Sequence, residues 1–565
     1  MADSLTPPAA TDAATAEPQS IRDTVSTRRL IAIIVGLMLG MLLAALDQTV
    51  VGTALYRITV ELGGQNISWV YTSYLLASTV GVPIYGKLSD VYGRRPFFLA
   101  GMVIFLIGSA LSGTSQNYTQ LIIYRGVQGL GAGAIMPIAQ AIIGDIFPPA
   151  ERGRWQGIFV AVFGLATILG PLLGGYITDN LGWRWVFYIN MPIGILALIV
   201  AGTTMPNVVL RLRHRIDILG SMALVLWTVP LLLAISLGGS HGTNLYDWTS
   251  WQILALFGVA IAALVVFVVV EFRASEPIIS PRLLSKRIFS ISMIAMFLMS
   301  AGMFGAIGFL PTFVQAVMGQ TATNSGVILT PMMLGFMFSS VIGGQLLSIT
   351  GRYKFLALGG FAVAAVGMWF LSQMDIHTSN PELIRNMVIT GLGIGVMMSL
   401  FTIVVQNAFP FRQLGEVTAT LSFFRSMGST FGIGILGSVL TNSFVTNLQA
   451  TMPAPLRAII PADQIYKYLG QANGGGASGL MSKLAPLGPQ AAVLLRELLV
   501  DVRRSFATAF GEVFMIGLGA MVLAFVVTLF LPEIPLRRSH RTPSSGDAAA
   551  AGESGPTPVA ADMPL

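Results

Sequence analysis

The chain has 565 residues, of which 54% are hydrophobic and only 10% are charged, and its formal net charge at pH 7 is +7. This composition excludes an ordinary soluble globular protein and is typical of a polytopic helical membrane protein. The sequence contains no cysteine, which excludes disulfides, thiol catalysis and thiolate metal sites. We expect no cofactor, no metal site and no enzymatic activity.

The basic residues fall mainly in segments predicted to face the cytoplasm. Short loops rich in Lys and Arg stay on that side of a membrane, so the positive charge indicates orientation and not a nucleic-acid partner. Residues 1–27 are rich in Ala, Thr, Pro and acidic side chains and are predicted to be a disordered cytoplasmic tail. Residues 536–565, which begin with a basic run, are predicted to be a second such tail.

Fourteen apolar runs are long enough to cross about 30 Å of hydrocarbon as helices. They are predicted near residues 30–55, 67–87, 97–115, 120–143, 156–178, 185–204, 218–237, 251–272, 288–317, 325–349, 355–373, 383–408, 417–443 and 513–531. The predicted organisation is an N-terminal six-helix bundle (28–205), two inserted transmembrane helices (206–272), a cytoplasmic linker (273–287) and a C-terminal six-helix bundle (288–535). An even number of spans places both termini on the same side of the membrane, and the basic run at residues 536–541 indicates that this side is the cytoplasm.

The last connection, residues 442–510, is predicted to be an extracellular loop that is unusually long for a helix bundle. Residues 491–504 within it have helical amphipathic spacing. They are predicted to form a separate interfacial or capping helix. A functional cap over an exit and a passive tether are both open interpretations.

A short charged turn is predicted between the second and third spans. Gly86 and Gly93 allow the helix ends to turn tightly and pack closely. Asp90, Arg94 and Arg95 place a carboxylate and two guanidinium groups where they can bridge to neighbouring helix ends. These five residues are named the cytoplasmic latch, because such a corner can hold two helices together and release them. The alternative is an ordinary loop whose charges only set the orientation.

A degenerate copy of this turn occurs at residues 344–354, in the equivalent loop of the second six-helix unit. Ser348 stands there in place of Asp90. Internal repeats of this kind are typical of transporter folds. Any latch is therefore expected to be stronger in the first half.

Charged side chains inside spans are costly and indicate function by default. Asp47 lies about 25 Å from the cytoplasmic start of the first span, at about 1.5 Å per residue. Arg125 lies at a similar depth in the fourth span, so the two are predicted to face each other. Burial favours a neutral carboxyl group and a nearby guanidinium favours a charged one, so motion between these environments would make Asp47 a proton carrier. The alternative is a static ion bridge between two helices.

Arg425 is a third charge within a predicted span. No carboxylate inside that span pairs with it, so Glu416, Glu271, a backbone carbonyl and an anionic group of a substrate are equal candidates. We group Arg425 with Gln48, Met303 and Phe304 as a candidate substrate or buried-charge site. Methionine adapts to varied apolar ligands, although it serves equally well as core or lipid-facing packing.

The fifth span carries a glycine and proline pattern. Its members are Gly164, Gly170, Pro171, Gly174 and Gly175. Proline removes a backbone hydrogen bond and the glycines form a smooth face, which predicts a kinked, pivoting helix. A purely structural kink is the alternative.

Several of these segments resemble known motifs. The run Gly86 to Arg95 resembles the G-x-L-x-D-x-x-G-R-[KR] motif of the major facilitator superfamily. The segment around Arg125 resembles the superfamily's fourth-span motif, where the Arg is implicated in proton transfer, and the fifth-span pattern resembles the motif of its antiporters. Residues 46–51, 183–194 and 415–420 are similar to the fourteen-span drug:proton antiporter family (EmrB/QacA type). The resemblance covers residues 28–535.

This resemblance implies a major facilitator fold and a drug:H+ antiporter of the inner (plasma) membrane. Such a protein extrudes amphipathic or cationic small molecules by alternating access, in multidrug efflux and antibiotic resistance. The implied partners are a small amphipathic substrate, protons and the lipid bilayer, and the implied state is a monomer. The residues alone argue only for a proton-coupled antiporter with an apolar cavity. An exporter of lipid or cell-envelope intermediates and a non-transporting membrane sensor are the alternatives.

Overall fold

The computed structural model describes residues 26–62, 69–147, 149–206, 217–239, 246–274, 277–320, 322–410, 413–453, 456–457 and 490–535. Nearly all of each predicted tail lies outside the described residues.

The described residues are almost entirely helical, as expected from the long apolar runs. The helices are α1 (Thr27–Leu62), α2 (Trp69–Tyr92), α3 (Arg94–Thr114), α4 (Tyr118–Ile146), α5 (Pro149–Asn180), α6 (Trp185–Tyr188), α7 (Asn190–Thr204), α8 (Ile218–Leu237), α9 (Trp251–Arg273), α10 (Pro281–Leu284), α11 (Arg287–Ala316), α12 (Ala322–Thr350), α13 (Tyr353–Ser372), α14 (Asn380–Ala408), α15 (Leu414–Thr451) and α16 (Gln490–Leu529). Strands β1 (Gly238–Gly239) and β2 (Tyr246–Asp247) form a two-residue parallel pair between α8 and α9.

Thirteen helices of the described chain are long and apolar enough to cross a membrane. Helix α2 is a further long helix of 24 residues, or about 36 Å at 1.5 Å per residue. It is more polar because it carries several Tyr, Ser and Thr side chains as well as Lys87 and Asp90, but it packs against α4 and α15. Counting α2, and taking α6 and α7 together as one span, the structure agrees with fourteen spans.

Two equivalent turns support an internal repeat. Gly93 joins α2 to α3 with φ 100°, and Gly351 lies between α12 and α13 with φ 67°. Glycine adopts this left-handed region without the clash of a side chain. The two turns therefore share a backbone feature that the sequence pattern of residues 344–354 predicts.

Each half has its own apolar core. In the N-terminal half, Phe98, Phe105 and Ile135 are fully buried in a cluster formed by α1, α3, α4 and α7. In the C-terminal half, Phe361 and Phe401 belong to a larger cluster formed by α11 to α16. The aromatic pair Trp183 and Phe187 closes the outer end of the first half.

Helices α8 and α9 pack against each other at the side of the bundle. The Trp227 ring of α8 meets the Phe423 ring of α15 edge to face, with 5.9 Å between centroids. Val82 of α2 belongs to the same cluster. Most of α9 is exposed and apolar, and Phe272 is 73% exposed, so this hairpin covers one side of the molecule and faces lipid.

The prediction for the last connection is wrong at both of its ends. Helix α15 continues to Thr451 and α16 begins at Gln490, so much of the predicted loop 442–510 is helical. The amphipathic segment is the first part of α16 and not a separate capping helix. Its buried face packs on α15, where the rings of Phe506 and Phe444 stack at 4.0 Å between centroids. The two helices extend together because each buries the other's apolar face.

Candidate functional site

Asp47 lies at the centre of a buried polar cluster in the N-terminal half. Its carboxylate oxygen Oδ2 is 2.7 Å from Nη1 of Arg125, and both residues are fully buried. Its other oxygen, Oδ1, accepts hydrogen bonds from Nε2 of Gln128 at 2.9 Å and from Nδ2 of Asn190 at 2.8 Å. Asp47 and Arg125 therefore face each other in the structure, and the side-chain amides of Gln128 and Asn190 also contact the carboxylate.

Arg125 is fixed on several sides. Its Nη1 also donates to Oε1 of Gln128 at 2.8 Å, and its Nε donates to the carbonyl of Val70 at 3.3 Å. The guanidinium carbon lies 4.3 Å from the centre of the Tyr74 ring. A buried charge pair is stable only when its other donors and acceptors are satisfied, and most of those here have partners.

Asn190 and Gln128 did not follow from the sequence argument. Gln128 lies three residues after Arg125 and so shares its helix face, which is a signal that could have identified it. Asn190 is the first residue of α7, just after the break at Ile189. It also donates to Oγ of Ser109 at 3.0 Å, so α3 and α7 both support the site.

The cluster can hold an ionised carboxylate without water. It can also respond to protonation, because a neutral Asp47 would lose its attraction to Arg125. Since Asp47 has no exposed surface here, exchange of a proton requires a movement of α1, α4 or α7. The described residues contain no group of three or more metal-ligating side chains.

The cytoplasmic latch holds the ends of α2, α3 and α4 together. Arg94 forms an ion pair with Asp90 and donates to Oδ2 of Asp145 at 2.9 Å. It also donates to Oγ of Ser89 at 2.9 Å. Arg95 donates to the carbonyl of Gly202 in α7. Asp145, at the end of α4, is a partner that the turn motif alone does not reveal.

The latch also reaches across to the other half. Oδ2 of Asp90 accepts a hydrogen bond of 2.7 Å from the backbone amide of Glu416, in the first turn of α15. A carboxylate there satisfies a free amide and complements the helix dipole. A Cβ at Gly415 would overlap both Asp90 and Arg94, and one at Gly86 would overlap Ala419. Glycine at these positions allows α2 and α15 to approach closely.

Further contacts between the halves lie on the cytoplasmic side. Nε2 of Gln406 in α14 donates to the carbonyl of Gln140 in α4 at 3.3 Å and to Oγ1 of Thr418 in α15 at 3.0 Å. Oγ of Ser422 lies 3.5 Å from Oε1 of Gln140. We name Gln140, Gln406, Thr418 and Ser422 the polar floor. Together with the latch, the floor closes the cytoplasmic side of this conformation.

The fifth-span glycines lie along α5 with different surroundings. Gly157 and Gly164 face α12, and a Cβ at Gly164 would lie 3.5 Å from the side chain of Met337. A Cβ at Gly170 would overlap Thr49 of α1, whereas one at Gly175 would meet nothing within 4 Å. Pro171 and Gly174 lie inside α5. The pattern therefore contacts both halves, α1 in one and α12 in the other.

The remaining predicted residues are not brought together in one site. Met303 is 1% exposed within the C-terminal core, and Phe304 packs against that core, so Met303 contributes to packing and not to an open surface. Gln48 is partly buried on α1, and its carbonyl accepts from the Tyr71 hydroxyl. Arg425 is partly buried on α15, with Nη1 3.9 Å from Sδ of Met398.

Neither carboxylate proposed for Arg425 is its partner. Oε1 of Glu416 accepts from the backbone amide of Ser280 at 3.1 Å, and its Oε2 is 4.0 Å from Nζ of Lys87. Oε1 of Glu271 accepts from the backbone amide of Ile278 at 3.3 Å. Both therefore belong to the junction of the linker with α9 and α15.

Comparisons with known proteins agree with this fold. The profile described as Major Facilitator Superfamily matches residues 37–214 and 220–433. The chain belongs to the major facilitator superfamily. It is 40% identical to the multidrug transporter protein MdtP of Bacillus subtilis, over 89% of this chain and 93% of that protein. It is also 40% identical to multidrug resistance protein 3 of the same organism, over 88% of this chain and 94% of that protein.

A solved structure supports the fold independently of close sequence similarity. The crystal structure of the human organic anion transporter MFSD10 (TETRAN) superimposes with a TM-score of 0.55 over 87% of this chain and 99% of that chain, at 14% identity. At this identity the likeness concerns the fold alone. The predicted fold class, a multi-pass all-α membrane protein of the major facilitator type, is confirmed, as is the prediction of a transporter and not an enzyme.

Proposed function

We propose that this member of the superfamily is a drug:H+ antiporter that extrudes amphipathic or cationic small molecules by alternating access. The observation that carries the proposal is the buried cluster of Asp47, Arg125, Gln128 and Asn190. A fully buried carboxylate held by three donors in the outer half of a span can exchange a proton with water only when the helices around it move. The names of the two Bacillus relatives support a drug-like substrate.

In the proposed cycle, the conformation described here precedes proton uptake. Opening of the cluster toward the outside exposes Asp47 to water, and the carboxylate binds a proton there. The neutral acid no longer attracts Arg125, which favours rearrangement of α1 against α4. After the halves rock, the proton leaves toward the cytoplasm, and the substrate has moved the other way.

The cytoplasmic latch supports this cycle. It is made while the cytoplasmic side is closed, because the amide of Glu416 and the carboxylate of Asp90 come from different halves. We propose that the latch stabilises the outward-facing state and breaks on return. The glycine pattern of α5, which touches both α1 and α12, serves as the surface on which the halves pivot.

The test is transport in sealed proteoliposomes with an imposed pH gradient. Asp47→Asn keeps the size and most of the hydrogen bonds of the side chain but cannot titrate. We expect it to abolish accumulation driven by the gradient while it retains substrate exchange without a gradient. Asp247→Asn is the matched control, because Asp247 is exposed in the outer loop, and it should transport normally.

Undiminished gradient-driven transport by Asp47→Asn would contradict the proposal and leave the pair as a static bridge. Loss of exchange as well as accumulation, in a variant that stays folded, would assign Asp47 to substrate binding instead.

A further inference from the structure

Arg425 occupies an unusual position for a cation. It lies eleven residues into α15, or about 16 Å from the cytoplasmic start of that helix. This depth is near the middle of a hydrocarbon layer of about 30 Å. A charge at this depth is retained only where it has a partner or faces a polar cavity.

Arg425 has no anionic partner among the described residues. Its polar contact is the thioether of Met398, which is a weak acceptor. Two carboxylates of the N-terminal half are engaged elsewhere. Asp47 pairs with Arg125, and Asp90 pairs with Arg94.

The helix face of Arg425 points between the two halves. Residues spaced by three or four lie on one side of a helix, so Thr418, Ser422 and Arg425 share a face. The first two belong to the polar floor and meet α14 and α4. Arg425 comes next along the helix, on the outer side of the floor. In this conformation, with its cytoplasmic side closed, a cavity between the halves would therefore have Arg425 at its base.

We propose that Arg425 binds an anionic group of the transported amphiphile, a carboxylate, sulfonate or phosphate. The inference rests on the proposed export function and names the chemistry of its substrate. A guanidinium presents a fixed fork of donors that matches such groups. Met398, which contacts Arg425, is partly buried, so an apolar body attached to the anionic group would also find a contact there.

A site of this kind prefers anionic substrates, whereas a drug exporter that takes only cationic substrates would not. An uncompensated guanidinium repels a cationic head group at close range. A cationic drug could bind elsewhere in the cavity, but it would gain nothing at Arg425. We therefore expect the residue to discriminate between amphiphiles that differ only in the sign of their head group.

A matched set of probes tests this. Two dansyl-labelled alkyl chains of equal length, one ending in a carboxylate and one in a quaternary ammonium, are presented to proteoliposomes under the same gradient. Arg425→Gln should lower transport of the carboxylate probe at least about tenfold, since a charge-assisted contact is lost. It should leave the ammonium probe unchanged or faster. Arg425→Lys should recover part of the carboxylate transport.

Arg385→Gln is the matched control for loss of a positive charge. Arg385 lies in the second turn of α14, near its outer end, stacked on the Phe370 ring at 4.7 Å, and we expect no change for either probe. Equal loss of both probes in Arg425→Gln, or loss of neither, would overturn the proposal. Failure of the proposed export function gives a different result, because the unsubstituted protein would then move neither probe under the gradient.

The source of the anionic group is tested in a separate arm. Dansyl-labelled phosphatidylglycerol and phosphatidylcholine are compared in the same vesicles. Movement of phosphatidylglycerol that depends on Arg425, without carboxylate transport, would assign the site to a lipid head group. Carboxylate transport that depends on Arg425, without lipid movement, would assign it to a soluble amphiphile. Dependence in neither arm would overturn the site.

Discussion

At the scale of single residues, the stability of the buried ion pair depends on how completely Asp47 is enclosed. Two amides and a guanidinium take up its two oxygens, and none of its surface is exposed. Breaking a buried pair by removing one partner typically costs about 3–5 kcal/mol, because the other charge remains without compensation. Replacing both charged residues by neutral ones costs less free energy than removing only one of them.

This difference gives a prediction for stability. Arg125→Met should lower the melting temperature of the purified protein strongly, because Asp47 is left as an unpaired buried charge. Adding Asp47→Asn to Arg125→Met should restore part of the loss. Thermal unfolding of the single and double variants measures this coupling. If the double variant were less stable than Arg125→Met, Asp47 would have a second partner that compensates its charge.

Arg184→Met is the control for this series. Arg184 lies 3.9 Å from Glu61, and both side chains are about half exposed. An exposed pair contributes about 0–1 kcal/mol, so its removal should change the melting temperature little.

The sequence predicted this pair but only part of its environment. Counting residues along two spans placed Asp47 and Arg125 at one depth, and Gln128 shares a helix face with Arg125. Asn190 was not predictable in this way, because its position depends on the break between α6 and α7. Arg425 was predicted as a buried charge, but its lack of a carboxylate partner required knowing where Glu416 and Glu271 lie.

At the scale of elements, the contact between α2 and α15 joins the two halves at the cytoplasmic side. The C-terminal end of α2 supplies a carboxylate, and the N-terminal turn of α15 supplies a free amide. This pairing joins elements far apart in the sequence. No periodicity in either helix indicates it, which is why Gly415 was recognised as part of a motif and not as a contact.

A methyl group at Gly415 should open the latch. Its Cβ would overlap both Asp90 and Arg94, and overpacking of this kind costs about 1–3 kcal/mol. We expect Gly415→Ala to slow transport and to raise the reactivity of a cysteine placed at Gln140, in the polar floor, at least about fivefold. Labelling by a membrane-impermeant thiol reagent from the cytoplasmic side measures this.

Gly359→Ala is the matched control, because a Cβ at Gly359 in α13 would meet nothing within 4 Å. Equal labelling of the Gly415 and Gly359 variants would mean that the contact between Asp90 and α15 does not hold the closed state.

Helix α16 illustrates the limit of span prediction. The apolar run near residues 513–531 marks the membrane segment, and the amphipathic pattern of 491–504 marks a helix. Their continuity was missed because the stretch between them is less apolar. However, it contains no proline, and that is the signal for a single helix.

At the scale of the whole molecule, the two halves meet through the latch, the polar floor and the contact of α5 with α12. The latch and the polar floor lie toward the cytoplasm in the conformation described, and the contact of α5 with α12 reaches Gly164, near the middle of α5. In the proposed cycle the latch and the floor separate while the halves remain intact and pivot on α5. The separate apolar cores of the halves are consistent with movement as rigid bodies.

A cross-link across the cytoplasmic side tests this movement. The native chain has no cysteine, so Lys87→Cys and Glu416→Cys can be combined without other changes. Their native side chains approach to 4.0 Å, within reach of a short bifunctional methanethiosulfonate, which links the two cysteines through reducible disulfides. We expect linkage to stop transport and reduction to restore it.

Each single cysteine variant, treated with the same reagent, is the control and should continue to transport. Transport at the normal rate by the linked protein would exclude separation of α2 and α15 from the cycle.

The inserted hairpin of α8 and α9 affects how an apolar molecule in the membrane can reach the interior of the protein. Its Trp227 packs in one cluster with Val82 of the first half and Phe423 of the second, so the seam on that flank is sealed from the acyl chains. A compound dissolved in the membrane would therefore not reach the interior through this flank.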